Sequence, residues 1–261
     1  MPSSTMTGLH GLRGIHDGSC AIPETSSWWS GYVEDAYARL DSGEIEAEFQ
    51  RLVRPCLKRP PQRVLDVGTG PGHFLIAMQD VAPDAVLHGT DANHEHLARA
   101  RSDLARRGVS AQLVRSDSMP LPYPDQYFDL VICQAVMPYS YDDHAFLDHL
   151  LRVLRPGGVL WFATHGIGFY VMRLRHRKGH DQVRYGLSVV SGFLSMMFGW
   201  KPINDTPVTV SWLRRALRRA GCQVHACERS RDGALPELIR AAAVKAGQRS
   251  ADGGTPFHWV G

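Results

Sequence analysis

Two kinds of hydrophobic pattern follow each other in turn between residues 64 and 165. Short apolar runs predict buried strands, and apolar residues at helical spacing between them predict helices. The predicted strands are residues 64–67, 86–89, 112–115, 128–133 and 159–163, and the predicted helices are 74–81, 94–107 and 144–154. Strands that alternate with helices are typical of a parallel sheet with helices on both faces, which predicts an α/β fold.

The two ends of the chain depart from this alternation. Residues 1–60 predict a loose arm, rich in Gly, Ser, Thr and Pro, followed by a helical cap. Residues 61–261 predict one Rossmann-like domain, in which 166–206 form a lid-like insertion after the fifth strand. A sixth strand is predicted at 223–227 and a seventh at 257–260.

A glycine-rich turn directly follows the first predicted strand, with the sequence Asp66-Val67-Gly68-Thr69-Gly70-Pro71-Gly72. Closely spaced glycines between a strand and a helix let a ligand approach the backbone and the exposed N–H groups of the helix. Nicotinamide dinucleotide sites usually carry G-x-G-x-x-G. Here the third glycine comes one residue early, and His73 stands in its place. A nicotinamide-dependent oxidoreductase is therefore an alternative that the motif disfavours.

The turn, with an acidic residue two positions before its first glycine, resembles the nucleotide-binding motif of class I S-adenosylmethionine-dependent methyltransferases. Four further stretches within residues 60–165 resemble that family in the same order. They are Asp91 after the second strand, Ser116-Asp117-Ser118-Met119 after the third, Tyr127-Phe128-Asp129-Leu130-Val131 at the fourth, and Leu154-Arg155-Pro156-Gly157-Gly158 before the fifth. Five stretches in register are a more specific signal than any one alone.

The resemblance implies a seven-stranded, mostly parallel Rossmann-like sheet with an antiparallel last strand. It implies S-adenosylmethionine as the cofactor and S-adenosylhomocysteine as its product. Asp91 would accept hydrogen bonds from the ribose hydroxyls, and Asp117 from the adenine amino group. The cofactor-binding residues that we expect are Asp66, Gly68, Thr69, Gly70, Gly72, Asp91, Ala92, Asp117, Ser118, Met119 and Gln134.

An acceptor must lie at the carboxyl ends of the fourth and fifth strands, beside the cofactor. His165 follows the fifth strand, and we expect it to act as a general base or an orienting hydrogen-bond donor. The other interpretation is a loop histidine bonded to a carbonyl group. Aromatic residues that either line the acceptor pocket or serve only packing are Trp29, Tyr32, Tyr139 and Tyr141.

Composition narrows the choice of partners. The formal charge of +3 argues against a nucleic-acid or membrane partner. No apolar run approaches the roughly 20 residues needed to span a bilayer, and no secretory signal is expected from the first residues. Five scattered cysteines predict neither a disulfide framework nor a metal site, and they favour a reducing cytoplasm.

The sequence therefore predicts methyl transfer to an oxygen or nitrogen of a small-molecule acceptor, in natural-product or cofactor biosynthesis, with a homodimer among the expected assemblies. A tRNA-modifying methyltransferase is an alternative, because basic clusters occur at 173–178 and 214–219. A cofactor-binding protein without catalytic activity is another.

Overall fold

Seven strands form a single sheet. The computed structural model describes residues 42–116, 120–136, 143–176, 179, 182–183, 186–187, 189–190, 208–230 and 238–247. The strands are β1 (Arg63–Val67), β2 (Val86–Asp91), β3 (Ala111–Arg115), β4 (Phe128–Gln134), β5 (Leu154–His165), β6 (Cys222–Ser230) and β7 (Leu238–Lys245). Their order across the sheet is β3-β2-β1-β4-β5-β7-β6. Strands β1 to β5 pair in parallel, and β7 lies antiparallel between β5 and β6. The predicted mostly parallel α/β fold is confirmed.

The α-helices of the described residues are α1 (Ser42–Glu48), α2 (His73–Val81), α3 (His94–Arg106), α4 (Asp143–Val153), α5 (Ile167–His176) and α6 (Val210–Arg219). A π-helical turn, Phe49–Val53, and a 3-10 turn, Arg54–Cys56, lead from α1 towards β1. Helix α3 begins after Asn93, whose side chain accepts a hydrogen bond from the Glu95 N–H at 2.8 Å. An asparagine in this position satisfies one of the free donors of the first helical turn.

Each face of the sheet carries its own apolar core. On one face, Val64, Leu130 and Trp161 pack with residues of the N-terminal helical segment, α2 and α3. On the other face, Leu65 and Val131 pack with residues of α4 and α6. Neighbouring residues along a strand point to opposite faces, so β1 and β4 contribute to both cores. This explains why both strands read as continuous apolar runs in the sequence.

The antiparallel strand lies elsewhere than the sequence predicted. It is β7, whereas the predicted residues 257–260 lie outside the described part of the chain. Alanine is a poor strand former, and β7 contains Ala241, Ala242 and Ala243 in a row. All three are fully buried, and the second pairs in register with the large side chain of Trp161. Small residues fit here because the neighbouring strand β5 fills the space beside them. This packing outweighs the low strand propensity of alanine.

Strand β5 also begins earlier than predicted. It includes Pro156-Gly157-Gly158, which the sequence placed before the strand predicted at residues 159–163. The pairing of β4 with β5 shifts register between Phe128 and Leu130, which absorbs the irregular stretch. Residues 42–56 are helical, as predicted for the end of the cap. The division into a cap of residues 1–60 and a domain of residues 61–261 stays a prediction.

Candidate cofactor site

The glycine-rich turn wraps the carboxyl end of β1. Gly68, Gly70 and Gly72 have φ angles of +73°, +52° and +89°, in the left-handed region that favours glycine. The N–H groups of Gly68 and Thr69 both donate to the Thr90 carbonyl, at 2.8 Å each. These two bonds fix the turn to the end of β2, where the sequence predicted the second cofactor contact.

Space as well as conformation requires glycine at the start of the turn. A Cβ atom on Gly68 would lie 2.2 Å from Cγ2 of Val136, which follows β4. A side chain at Gly72 would make only ordinary contacts, the nearest at 3.5 Å from Ala100 Cβ. The turn therefore lies close against the β4 end of the sheet, and its backbone is the surface that a ligand would meet.

Asp66 lies beneath the turn with its carboxyl group buried. The Thr69 hydroxyl donates to Asp66 Oδ2 at 2.7 Å. The pKa of Asp66 is raised to about 7, because burial and, to a smaller extent, the neighbouring Asp91 raise it more than the Thr69 hydrogen bond lowers it. A partly protonated carboxyl group at this depth supports the turn from inside the fold.

Asp91 is the carboxylate that faces the turn from the end of β2. Its Oδ2 accepts from the Gly70 N–H and its Oδ1 from the Asn93 N–H, each at 2.8 Å. Nδ1 of His96, in the first turn of α3, lies 3.5 Å from Oδ1. An ionised carboxylate has about four acceptor positions, so two backbone bonds leave capacity for the two hydroxyls of a ribose. The orientation of Asp91 is fixed before any ligand binds.

Two other predicted contacts lie along the same edge. The Ala92 carbonyl accepts from Arg115 Nε at 3.2 Å, which joins β2 to β3. Gln134 ends β4, and its Nε2 donates to the Trp161 carbonyl at 3.3 Å. The next residue, Ala135, has a φ of +60°, which is unusual for a residue other than glycine. Its N–H donates to the Ala163 carbonyl at 2.8 Å, so the chain bends sharply where β4 leaves the sheet.

His165 is the last residue of β5, at the edge where the sequence analysis expected an acceptor. Its side chain is 4 % exposed, and its ring stacks on Phe169 of α5, with centroids 3.7 Å apart and planes 11° from parallel. The stacking fixes the plane of the imidazole. Its role as a general base stays a prediction.

The structure joins Asp66, Gly68, Thr69, Gly70 and Asp91 in one hydrogen-bonded unit, with Gly72 opening α2. Seven of the predicted site residues lie outside the described part of the chain, and they are Asp117, Ser118, Met119, Trp29, Tyr32, Tyr139 and Tyr141. Two residues that flank Asp91, Asn93 and His96, were not predicted from the sequence. An asparagine just before a helix is a capping signal, and it would have identified the first of them.

Two other kinds of site are absent from the described residues. Within the described ranges, no cluster of three or more His, Cys, Asp or Glu residues has the arrangement of a metal site. The same part of the chain contains no helix long and apolar enough to cross a membrane.

Comparison with known proteins gives consistent matches. A family model described as a methyltransferase domain matches residues 64–158. Demethylmenaquinone methyltransferase of Deinococcus radiodurans is 38 % identical over 139 residues, which are 52 % of this chain and 57 % of that protein. A ubiquinone/menaquinone biosynthesis C-methyltransferase of Vibrio parahaemolyticus is 32 % identical over 127 residues, 46 % of this chain and 48 % of that protein. The chain spans about half the length of the curated relatives it matches.

A solved structure matches over a longer range. It is an S-adenosylmethionine-dependent methyltransferase from Clostridium acetobutylicum, with a TM-score of 0.58 at 12 % identity, and it covers 84 % of this chain and 98 % of that one. At this identity the likeness concerns the fold alone.

Proposed function

We propose that this chain, which matches a methyltransferase domain model over residues 64–158, is a class I S-adenosylmethionine-dependent methyltransferase that transfers the cofactor's methyl group to a small-molecule acceptor. The observation that carries the proposal is the fixed Asp91 carboxylate beside the open backbone of the glycine turn. A carboxylate with free acceptor positions suits a ribose, and a turn without side chains admits a nucleoside close to the backbone.

We propose a role for each residue of this site. Asp91 binds the ribose hydroxyls, and the turn from Gly68 to Gly72 supports the amino-acid end of the cofactor. Asp117, Ser118 and Met119 surround the adenine, and Gln134 closes the β4 side. The bound cofactor supplies a methyl group already activated on a sulfonium centre. The protein therefore has to hold an acceptor atom in line behind that methyl and exclude water, and positioning supplies much of the rate.

His165 serves the acceptor side of this proposal. Its place at the carboxyl end of β5 supports a role as a base towards an acceptor hydroxyl or amine. The stacking on Phe169 supports an orienting role as well, because a ring with a fixed plane offers its nitrogens in fixed directions. Trp29, Tyr32, Tyr139 and Tyr141 are proposed to line the same pocket.

Two acceptor chemistries have separate support. The aromatic and weakly charged residues proposed around the acceptor favour an oxygen or nitrogen of a small, largely apolar molecule. The relatives whose names specify C-methylation in quinone biosynthesis favour a carbon of an aromatic ring instead. Both reactions would use the same cofactor site. The proposed cofactor site therefore does not depend on which acceptor is methylated.

The experiment is a turnover assay with S-adenosylmethionine and a panel of phenols, amines and reduced quinones. Mass spectrometry follows S-adenosylhomocysteine and the methylated product together. We expect product from one chemical class in the panel and none with Asp91→Ala at low cofactor concentration. Methylation of tRNA, with no product from any small molecule, would overturn the small-molecule proposal while leaving the cofactor site intact. Absence of any cofactor turnover or binding would overturn both.

A further inference from the structure

The segment after β5 exposes large aliphatic side chains. Seven such side chains are exposed in the described part of the chain, and five of them lie between residues 167 and 190. We call these five the apolar stripe, and they are Ile167, Val171, Val183, Leu187 and Val190. Their exposed fractions range from 42 % to 66 %, whereas single exposed aliphatic residues elsewhere need no explanation.

The stripe has helical order. Ile167 and Val171 are four residues apart on α5, and such residues share a helix face. Val183, Leu187 and Val190 follow at spacings of four and three, within residues that are also helical. Within each of the two stretches, apolar residues at these spacings share a helix face.

The opposite side of the same segment is anchored in the fold. Phe169 and Tyr170 are buried, and Leu174 and Val189 pack against them. Gln182 Nε2 donates to the Leu174 carbonyl at 3.3 Å, which joins the second helical stretch to α5. The exposure of the stripe is therefore not a consequence of detachment from the protein, because the segment already has a buried side.

Charge indicates what could cover the stripe. Residues 166–200 contain five Lys or Arg residues and one acidic residue, Asp181. Four of the five cationic residues fall between 173 and 178, and Arg175 is exposed on α5, four residues beyond Val171. A second copy of this chain would bring the same cationic segment opposite itself in a symmetric dimer, and like charges oppose that contact. An anionic surface with an apolar interior would attract the cationic residues and would bury the apolar side chains of the stripe.

We propose that the apolar stripe, with the exposed Arg175 on the same helix as Val171, docks onto the surface of an anionic lipid bilayer. Helices with an apolar face and basic residues lie in the plane of such an interface, and they do not need the length of a spanning helix. The total charge of +3 does not reveal the local excess of positive charge in residues 166–200. Docking would bring the β5 edge and His165 close to the bilayer, since α5 begins two residues after that histidine.

The test is co-sedimentation of the full chain with vesicles of phosphatidylcholine alone or mixed with phosphatidylglycerol. We expect binding to the mixed vesicles, and weaker binding when salt is raised. In the double variant Val183→Asp/Leu187→Asp, the apparent affinity should fall at least about tenfold. Val86→Asp is the matched control, because Val86 is 48 % exposed on β2, far from the stripe in sequence, and it should bind like wild type. Arg175→Glu, which leaves the stripe intact, should also weaken binding to the anionic vesicles.

Several results would overturn the proposal. They are absence of wild-type binding to the mixed vesicles, equal binding to both vesicle types, or equal losses in Val183→Asp/Leu187→Asp and Val86→Asp. A dimer in sedimentation velocity that the double variant dissociates would assign the stripe to a second copy instead. Thermal unfolding verifies that each variant is folded. Calorimetry with S-adenosylhomocysteine, which does not involve the stripe, separates failure of this proposal from failure of the proposed function.

Discussion

The Asp66 carboxyl group makes the stability of the protein depend on pH in an unusual direction. Burial raises its pKa from 3.8 to about 7, so the folded protein binds a proton that the unfolded chain has released between these two values. Stability from this group is therefore fully present below about pH 4 and is lost as pH rises through 7. Most carboxyl groups in ion pairs behave in the opposite way.

We predict that Asp66→Asn flattens this dependence. The asparagine carbonyl can still accept from Thr69, but no charge has to be buried at high pH. The free energy of unfolding of the variant relative to wild type should rise by on the order of 2–3 kcal/mol between pH 5 and pH 8, measured by urea denaturation. Asp84→Asn, at an exposed carboxylate, is the control and should show no such change. A variant that tracks wild type at both pH values would show that Asp66 is ionised throughout.

Gly68 is the position in the turn where both backbone and space exclude a side chain. We predict that Gly68→Ala lowers the free energy of unfolding by about 2–4 kcal/mol, the sum of left-handed strain and a clash with Val136. Gly108→Ala is the matched control, because its φ of +68° is similar and nothing lies within 4 Å of the added Cβ. It should cost only about 1–2 kcal/mol.

A double variant separates the two causes at Gly68. Val136→Ala removes the clashing methyl group, so it should reduce the further cost of Gly68→Ala towards that of the control. Equal costs for Gly68→Ala with and without Val136→Ala would show that the turn moves away from the end of β4 and that the close approach is unimportant.

At the scale of elements, a partly buried ion pair ties α1 to the sheet. Glu48 Oε1 accepts from the Trp161 indole N–H at 3.0 Å, and its Oε2 lies 3.0 Å from Arg240 Nε on β7. The Glu48 and Arg240 side chains are 13 % and 12 % exposed. Nearby, Arg51 of the π-helical turn pairs with Glu228 of β6, and these side chains are 42 % exposed or more.

We predict a large difference between these two pairs in double-mutant cycles. Glu48→Ala and Arg240→Ala should show a coupling of about 1–3 kcal/mol in the free energy of unfolding, because either single change leaves a partly buried charge without its partner. Arg51→Ala and Glu228→Ala, whose charges are in water, should show a coupling below about 1 kcal/mol. Similar couplings for both pairs would mean that water reaches Glu48 and Arg240 and that the pair does not hold the helical segment.

Most of the helices and strands within residues 64–165 could be predicted from the sequence, but one strand beyond them could not. Strands β1 to β5 and helices α2 to α4 were predicted in order, because apolar runs and helical spacing within residues 64–165 agree with the final packing. Strand β7 was not predicted, because a run of alanines carries no strand signal by itself. It becomes a strand only when Trp161 and its neighbours on β5 are in place, and that information lies about 80 residues away in the sequence.

For the whole molecule, the sequence predicted where the glycine turn and Asp91 lie in the fold, whereas the roles of the cofactor and acceptor residues stay predictions. A glycine turn, a carboxylate after β2 and the order of strands are local patterns that the cofactor's chemistry requires. The acceptor side combines His165 with residues proposed from segments far apart in sequence, and no local spacing relates them. The apolar stripe is likewise invisible in the sequence, because only the fold shows which side of α5 is already covered by contacts with Phe169 and Tyr170.

The most direct test of the account is calorimetric titration of the protein with S-adenosylhomocysteine and, separately, with NAD. We predict binding of one S-adenosylhomocysteine per chain and no response to NAD. Asp91→Ala should weaken binding by about 1–3 kcal/mol, since the ribose loses a charged acceptor, while Asp84→Ala should bind like wild type. Binding of NAD without any response to S-adenosylhomocysteine, or full affinity in Asp91→Ala, would contradict the assignment of this site.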